Sequence, residues 1–209
     1  YQRSRGLGDV YKRQIVSSIA RSNNPDSQCK MIWVDETYIN YLPDAVSLEP
    51  LCGSLPELVV CKSMSKCYAL SGLRVAYAVS QNMATLRRFI PPWAVSLPGQ
   101  LAAVAALRND AYYAQQYEVI HSERRKMQQA LDDLGFQVFS GVANYLLTYL
   151  PAASGYSSTR FIEACREQGL FVRDAQNMGV LLPNNAVRFA VRSPEENEKM
   201  LSIVDAVLA

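Results

Sequence analysis

Two short apolar runs, Met31-Ile32-Trp33-Val34 and Leu58-Val59-Val60-Cys61, each break off into polar residues at their C-terminal end. That pattern constrains the fold more than any other feature of the chain. Runs this short, bounded by turn-rich segments, read as strands rather than helices. The first ends in Asp35-Glu36-Thr37-Tyr38. The second leads into Lys62-Ser63-Met64-Ser65-Lys66, and Ser71-Gly72-Leu73-Arg74 places an arginine eight residues after Lys66. From Met31 to about Val79, short strands alternating with turns are those of part of an α/β sheet, and Arg74–Val79 is expected to be one of them.

The strand ends gather an unusual set of chemistries. Lys66 offers an amine, which attacks an aldehyde only when neutral and so needs desolvation or neighbouring positive charge. Arg74 presents a planar fork suited to a phosphate, Ser63 and Ser65 add hydroxyl donors, and Gly72 lets backbone come close to an anion. Taken singly these residues mean little: a lysine in a serine-rich loop is ordinarily a solvated group, Asp35 an ordinary strand-end carboxylate and Tyr38 a half-buried phenol. The conjunction carries the weight. Lys62 is the nearest rival to Lys66, but it lacks an arginine at the same downstream separation.

Asp-Glu-x-Tyr after one apolar strand, then Ser-x-Ser-Lys and Gly-Leu-Arg after a second, resembles the core of the fold type I pyridoxal-phosphate (PLP) enzymes, the aspartate aminotransferase superfamily. The resemblance implies an α/β PLP-dependent transferase fold: part of a large-domain sheet plus an α+β C-terminal small domain. It also implies PLP as cofactor, with Lys66 bonding it and acting as the catalytic base. Asp35 would pair with the ring nitrogen, Tyr38 would donate to the ring hydroxyl, and Ser63, Ser65 and Arg74 would hold the phosphate.

Gly169-Leu170-Phe171-Val172-Arg173 and Ala186-Val187-Arg188-Phe189-Ala190-Val191 read as short strands, each with one arginine. In the branch containing histidinol-phosphate aminotransferase and threonine-phosphate decarboxylase, arginines at these places grip substrate. By that resemblance Arg188 binds the α-carboxylate, and Arg173 binds a side-chain phosphate or shares the carboxylate. The competing reading is an edge-strand arginine with a solvated head. Arg192 alternates to the face of Arg188 and is a weaker candidate.

The implied reaction is transfer of an amino group between an amino acid or amino phosphate and a 2-oxo acid, in an assembly that resembles the family's homodimers. The alternatives are a threonine-phosphate-type decarboxylase and an aminotransferase-like PLP-binding regulatory module.

Composition narrows the partners. Apolar residues make up 49% of the chain and net charge is +2. No apolar run approaches the roughly 20 residues of a membrane span, and no basic stripe points to nucleic acid. Five cysteines, at 29, 52, 61, 67 and 165, lack metal-ligand spacing and suit a reducing cytoplasm. Cys61 is expected in the core, His121 on a helix without zinc partners, and Glu123-Arg124-Arg125-Lys126 on a solvated helix face.

Residues 1–14 have neither helical nor strand periodicity, and Asp9-Val10-Tyr11-Lys12-Arg13-Gln14 looks like a translated sequencing adapter. The segment is expected to be non-native and is set aside; a disordered basic arm is the other reading. Ile15–Arg21 resembles the end of a helix. Asn23-Asn24-Pro25-Asp26 resembles the family's Asn-Pro-Thr-Gly cofactor motif but is expected to be a loop instead, because Asn24 lies only 11 residues before Asp35, where the family inserts a whole helix. By the same resemblance, the family's asparagine, ring-stacking aromatic and glycine-rich phosphate loop are expected to belong to an N-terminal half not contained in this sequence. Residues 15–109 are expected to belong to the large PLP-binding domain and 110–209 to form the small one.

Within these, Gly99–Leu107 reads as an alanine-rich helix, Ala111–Leu134 as a long amphipathic one, Asn144–Leu150 as a strand, Ser158–Gln168 as a helix and Leu201–Leu208 as the end of a last helix. Ser193-Pro194-Glu195-Glu196 reads as the cap of that helix. Trp93, in the Pro91–Pro98 loop, is expected to pack rather than line a pocket.

Overall fold

A computed structural model describes residues 31–43, 45–179 and 182–209. The readings of residues 1–14, Ile15–Arg21, Asn23–Asp26 and Cys29 lie outside the described residues. The chain divides into two compact units, one ending at Tyr113 and the other running from Ala114 to Ala209.

In the first unit, β1 (Ile32–Asp35), β2 (Leu58–Ser63) and β3 (Ala76–Val79) form a sheet in that order. β1 and β2 are parallel, with Asp35 opposite Cys61, and β2 and β3 are antiparallel, with Ser63 opposite Ala76. Because side chains alternate between faces, Ile32, Val34, Leu58 and Val60 share one face, where they pack with Leu48, Leu51, Cys52, Leu55 and Val79. Each fully buried side chain of this kind contributes roughly 1.5–3 kcal/mol. Asp35, Cys61 and Ser63 therefore emerge on the other face. Cys61 is only half-buried there, a departure from the core position expected of it.

The third strand begins at Ala76, two residues later than its sequence suggests. A 3-10 turn, Ser71–Leu73, precedes it, and Arg74 follows that turn with φ of 53°, a left-handed conformation that cannot belong to a strand. Helix α1 (Leu97–Leu107) starts earlier than expected, because Ser96 Oγ accepts from the Gly99 amide at 3.2 Å and Pro98 fits the first turn. A Cβ on Gly99 would stand 3.3 Å from the Leu73 carbonyl oxygen, so the missing side chain lets the helix abut the Ser71–Leu73 turn. Trp93, expected to pack, is 95% exposed: the ring follows Pro91-Pro92 and sits on a left-handed backbone, φ 63°, that turns it outward.

Helix α2 (Asp110–Asp133) begins in the first unit and ends in the second. The second unit is built on an antiparallel sheet in the order β4 (Gln137–Val138), β5 (Tyr145–Tyr149), β7 (Ala186–Ala190), β6 (Arg173–Asp174). One face buries Leu146, Val187 and Phe189 with Met127, Leu131, Phe136, Phe161, Cys165, Met200 and Val204, drawn largely from α2, α3 (Ser158–Glu167) and α4 (Pro194–Leu208). Phe136, Phe161 and Phe189 meet edge to face.

Helix ends follow their local chemistry. After α2, the Gly135 amide bonds the Asp132 carbonyl and the Phe136 amide that of Leu131, with Gly135 at φ 84°, a left-handed C-cap. Ser193 and Glu196 form a reciprocal capping box at α4.

Three sequence readings change here. The strand expected from Gly169 is confined to Arg173–Asp174, since Gly169 caps α3 and Phe171 lies exposed. β7 ends at Ala190, and Arg192 pairs with Glu196 beside the α4 cap, so it is not a strand partner of Arg188. Glu123 and Arg124 are buried, not solvated, because the spacing of Arg124, Met127 and Leu131 puts the arginine on the core-facing stripe of α2.

Candidate functional site

The loops that follow β1 and β2 join at one continuous run of hydrogen bonds. Asp35 Oδ1 accepts from the amide of Thr37 at 2.8 Å and from its hydroxyl. Thr37 Oγ1 in turn accepts from the Ser63 amide at 3.2 Å, and the Ser63 and Ser65 hydroxyls lie 2.8 Å apart. Thr37 is thus the hinge of the run, although the sequence reading passed over it as the variable residue of Asp-Glu-x-Tyr. Its position two residues after an aspartate is the signal that could have found it, since an Asx-type turn is favoured there. Asp35 is exposed, and Oδ2 makes no hydrogen bond among the described residues.

Beyond Ser65 the backbone is anchored from several sides. Tyr41 Oη donates to the Lys66 carbonyl at 3.2 Å, the Cys67 thiol donates to the Thr37 carbonyl at 3.1 Å, and Asn40 reaches the Tyr68 hydroxyl at 3.5 Å. Burial pushes the Cys67 thiol up to about 11 and raises the Tyr41 phenol, so both stay protonated donors at neutral pH. Tyr38 is half-buried, its ring 6.3 Å from that of Tyr41. Ala69 and Arg74, both left-handed, bracket the turn; each such non-glycine residue stores on the order of 1–3 kcal/mol of strain.

The two lysines are treated oppositely. Lys62 points to the core face, 7% exposed, with Nζ 2.7 Å from Glu49 and 3.5 Å from Glu36. Glu36, 2% exposed, also accepts from Ser47 Oγ and the Leu48 amide, and Tyr77 Oη donates to Glu49. Lys66 is exposed and forms no ion pair among the described residues. The desolvated setting expected for it is not built from the described residues. Arg74 is also exposed, and its guanidinium donates to the Ser71 carbonyl rather than to Ser63 or Ser65. Asp35, Ser63 and Ser65 are therefore linked, while Lys66 and Arg74 make no side-chain bond to that run among the described residues.

Arg173 and Arg188 belong to the second unit, where they stand directly opposite each other across β6 and β7. Like charges so placed repel, and neither has a carboxylate partner among the described residues. The Arg188 guanidinium lies over the Tyr145 ring at 4.9 Å.

An α/β sheet followed by a small α+β unit is the architecture of the fold type I PLP-dependent transferases. Residues 7–204 match the aminotransferase class I and II family, and the chain belongs to it.

Among curated relatives it is 28% identical over 185 residues to a histidinol-phosphate aminotransferase of Acinetobacter baylyi, covering 86% of this chain and 48% of that protein. It is 34% identical over 182 residues to an aromatic amino acid aminotransferase of Rhodococcus erythropolis, with the same coverage of 86% and 48%. The chain thus spans about half the length of the curated relatives it matches.

Among solved structures, L-threonine-O-3-phosphate decarboxylase from Porphyromonas gingivalis superposes with a TM-score of 0.79 at 20% identity, over 96% of this chain and 59% of that one. Histidinol-phosphate aminotransferase from Sinorhizobium meliloti, in complex with pyridoxal-5'-phosphate, gives 0.73 at 21%, over 85% and 48%. At such identities these two likenesses establish the fold alone.

Proposed function

We propose that this chain is the lysine-bearing part of a PLP-dependent aminotransferase that moves an amino group between an amino acid or amino phosphate and a 2-oxo acid. The observation that carries the reading is the Asp35–Thr37–Ser63–Ser65 run ending beside an accessible Lys66, while the neighbouring Lys62 is held between two carboxylates. The residues present fit the cofactor: an exposed carboxylate oriented by Thr37, two adjacent hydroxyls, open space at Gly72 and an arginine on the same turn.

PLP, when bound, supplies an electron sink for the substrate carbon. In this reading Asp35 keeps the ring nitrogen protonated through Oδ2, with Oδ1 fixed by Thr37. Tyr38 donates to the ring oxygen, and Ser63, Ser65 and Arg74 hold the phosphate by charge-assisted hydrogen bonds. Lys66 bonds the cofactor and moves a proton at the substrate α-carbon. Arg188 takes the substrate carboxylate and Arg173 a second anionic group. Residues 15–109 then belong to the cofactor-binding large domain and 110–209 to the small domain of a cytoplasmic homodimer.

A decarboxylase is the second reading, since the fold shared with the threonine-phosphate enzyme is compatible with either reaction. It would use the same cofactor residues.

The test is incubation with PLP, reduction with borohydride and peptide mass spectrometry. The phosphopyridoxyl group is expected on Lys66 and is expected to vanish in Lys66→Ala. Labelling of Lys62 instead, or unchanged labelling in that variant, would overturn the assignment. Assay of a separate, unreduced sample of the PLP-loaded protein with aromatic amino acids, histidinol phosphate and threonine phosphate then separates amino transfer from release of carbon dioxide.

A further inference from the structure

The second unit holds a cavity of about 280 Å³ lined by Arg124, by the Phe139–Ala143 loop, and by Tyr145 and Leu147 of β5. That is just below the roughly 300–1,000 Å³ usual for drug-sized ligands. Arg124 is 6% exposed, yet it has no carboxylate partner among the described residues. Nη1 and Nη2 make long bonds, 3.3 and 3.4 Å, to the neutral oxygens of Gln128 and Phe139, and Nε has no acceptor among the described residues. A guanidinium stays charged in proteins, and an uncompensated buried charge is costly. Burial lowers the Arg124 guanidinium from its ordinary value, with the nearby Tyr145 opposing.

The loop facing this charge adds donors. The amides of Ser140, Gly141 and Val142 bond no acceptor among the described residues. Successive free amides beside a cation make an anion-binding concavity. Gly141 sits so close that a Cβ there would come 3.2 Å from Arg124 Nη2, so the backbone can approach a ligand on the guanidinium only because that side chain is absent.

We infer that this cavity is a binding site for a small oxyanion, carboxylate or phosphate, held by Arg124 and the Ser140–Val142 amides. The site lies wholly within the second unit and does not rest on the role of Lys66. The positive charge selects the class of ligand, and the limited volume restricts it to small molecules.

The experiment is nitrogen-15 NMR of the protein, following the amides of Ser140–Ala143 and Nε–H of Arg124. Sodium phosphate and sodium succinate are titrated separately, with chloride balancing ionic strength. Saturable shifts at these resonances are expected with at least one anion, and the one that saturates first identifies the source of the charge. Arg124→Gln is expected to weaken binding about tenfold or more, as loss of a charge-assisted bond does, while Lys66→Ala leaves it intact. Gly141→Ala, which keeps the arginine but crowds it, is expected to weaken binding too and decides the matter if Arg124→Gln does not fold. No saturable shift with either anion, or full affinity in the Arg124 and Gly141 variants, overturns the inference.

Discussion

Each unit buries a cation, and the two are handled in opposite ways. Lys62 in the first unit is clamped between Glu36 and Glu49, with Tyr77, Ser47 and the Leu48 amide completing the polar cluster. Arg124 in the second is just as inaccessible but, among the described residues, its hydrogen bonds go to a side-chain amide oxygen and a backbone carbonyl oxygen. A paired charge of the first kind fixes local geometry: it ties the residue after Asp35 to the residue before Ser63, so the two strand ends keep their register. An unpaired one of the second kind leaves a field that a ligand can complete. Burial alone does not reveal what a charged side chain is for; its partners do.

That contrast can be broken most sharply at Lys62. Lys62→Met removes the cation and strands two carboxylates, so urea denaturation should show a loss of about 3–5 kcal/mol, the range for breaking one side of a buried pair.

A smaller effect is expected at Glu123, where hydrogen bonds from Lys126 and then from Asn197 hold the carboxyl below its ordinary value of 4.5. A depressed folded-state value means this stability is present above the unfolded-state value and is lost as pH falls through the folded one. Denaturation midpoints measured downward from pH 5 should therefore fall more steeply in wild type than in Glu123→Gln. The difference should be about 1 kcal/mol, because Lys126 is itself largely exposed.

The least change is expected at Arg124: in buffer without oxyanions, Arg124→Met should be neutral or slightly stabilising, by about 1 kcal/mol or less, since it replaces an uncompensated charge with an apolar chain. A loss as large as that at Lys62 would mean that the two cations are not different in kind.

Much of the framework was legible in the sequence, because alternation and capping are local. The strands around Asp35 and Ser63 follow from apolar runs, and α4 follows from its Ser-Pro-Glu-Glu start. Position along a helix stripe was harder to see. Arg124 follows Ile120 by four residues and precedes Met127 and Leu131 on the same stripe, but its charged neighbours Arg125 and Lys126 disguised it as part of a solvated run. Thr37 was missed for another reason: its hydroxyl bonds a side chain two residues back and the amide of Ser63 in another part of the chain, and only the first of these has a local signal, the aspartate two residues before it. Arg74 was placed in a strand because the apolar pattern runs through it, whereas the backbone there is set by the preceding 3-10 turn and by α1 abutting it at Gly99.

Arg74 also carries a constraint on what mutation can do there. Its left-handed backbone is a conformation that glycine and asparagine adopt readily and most other residues resist. Its guanidinium is the group the proposed phosphate contact needs. Substitutions that relax the chain discard the charge, and the one that keeps a charge, lysine, keeps the strain and gives up the planar fork. The position is therefore a narrow passage in sequence space, where comfort of the main chain and usefulness of the side chain pull toward different amino acids.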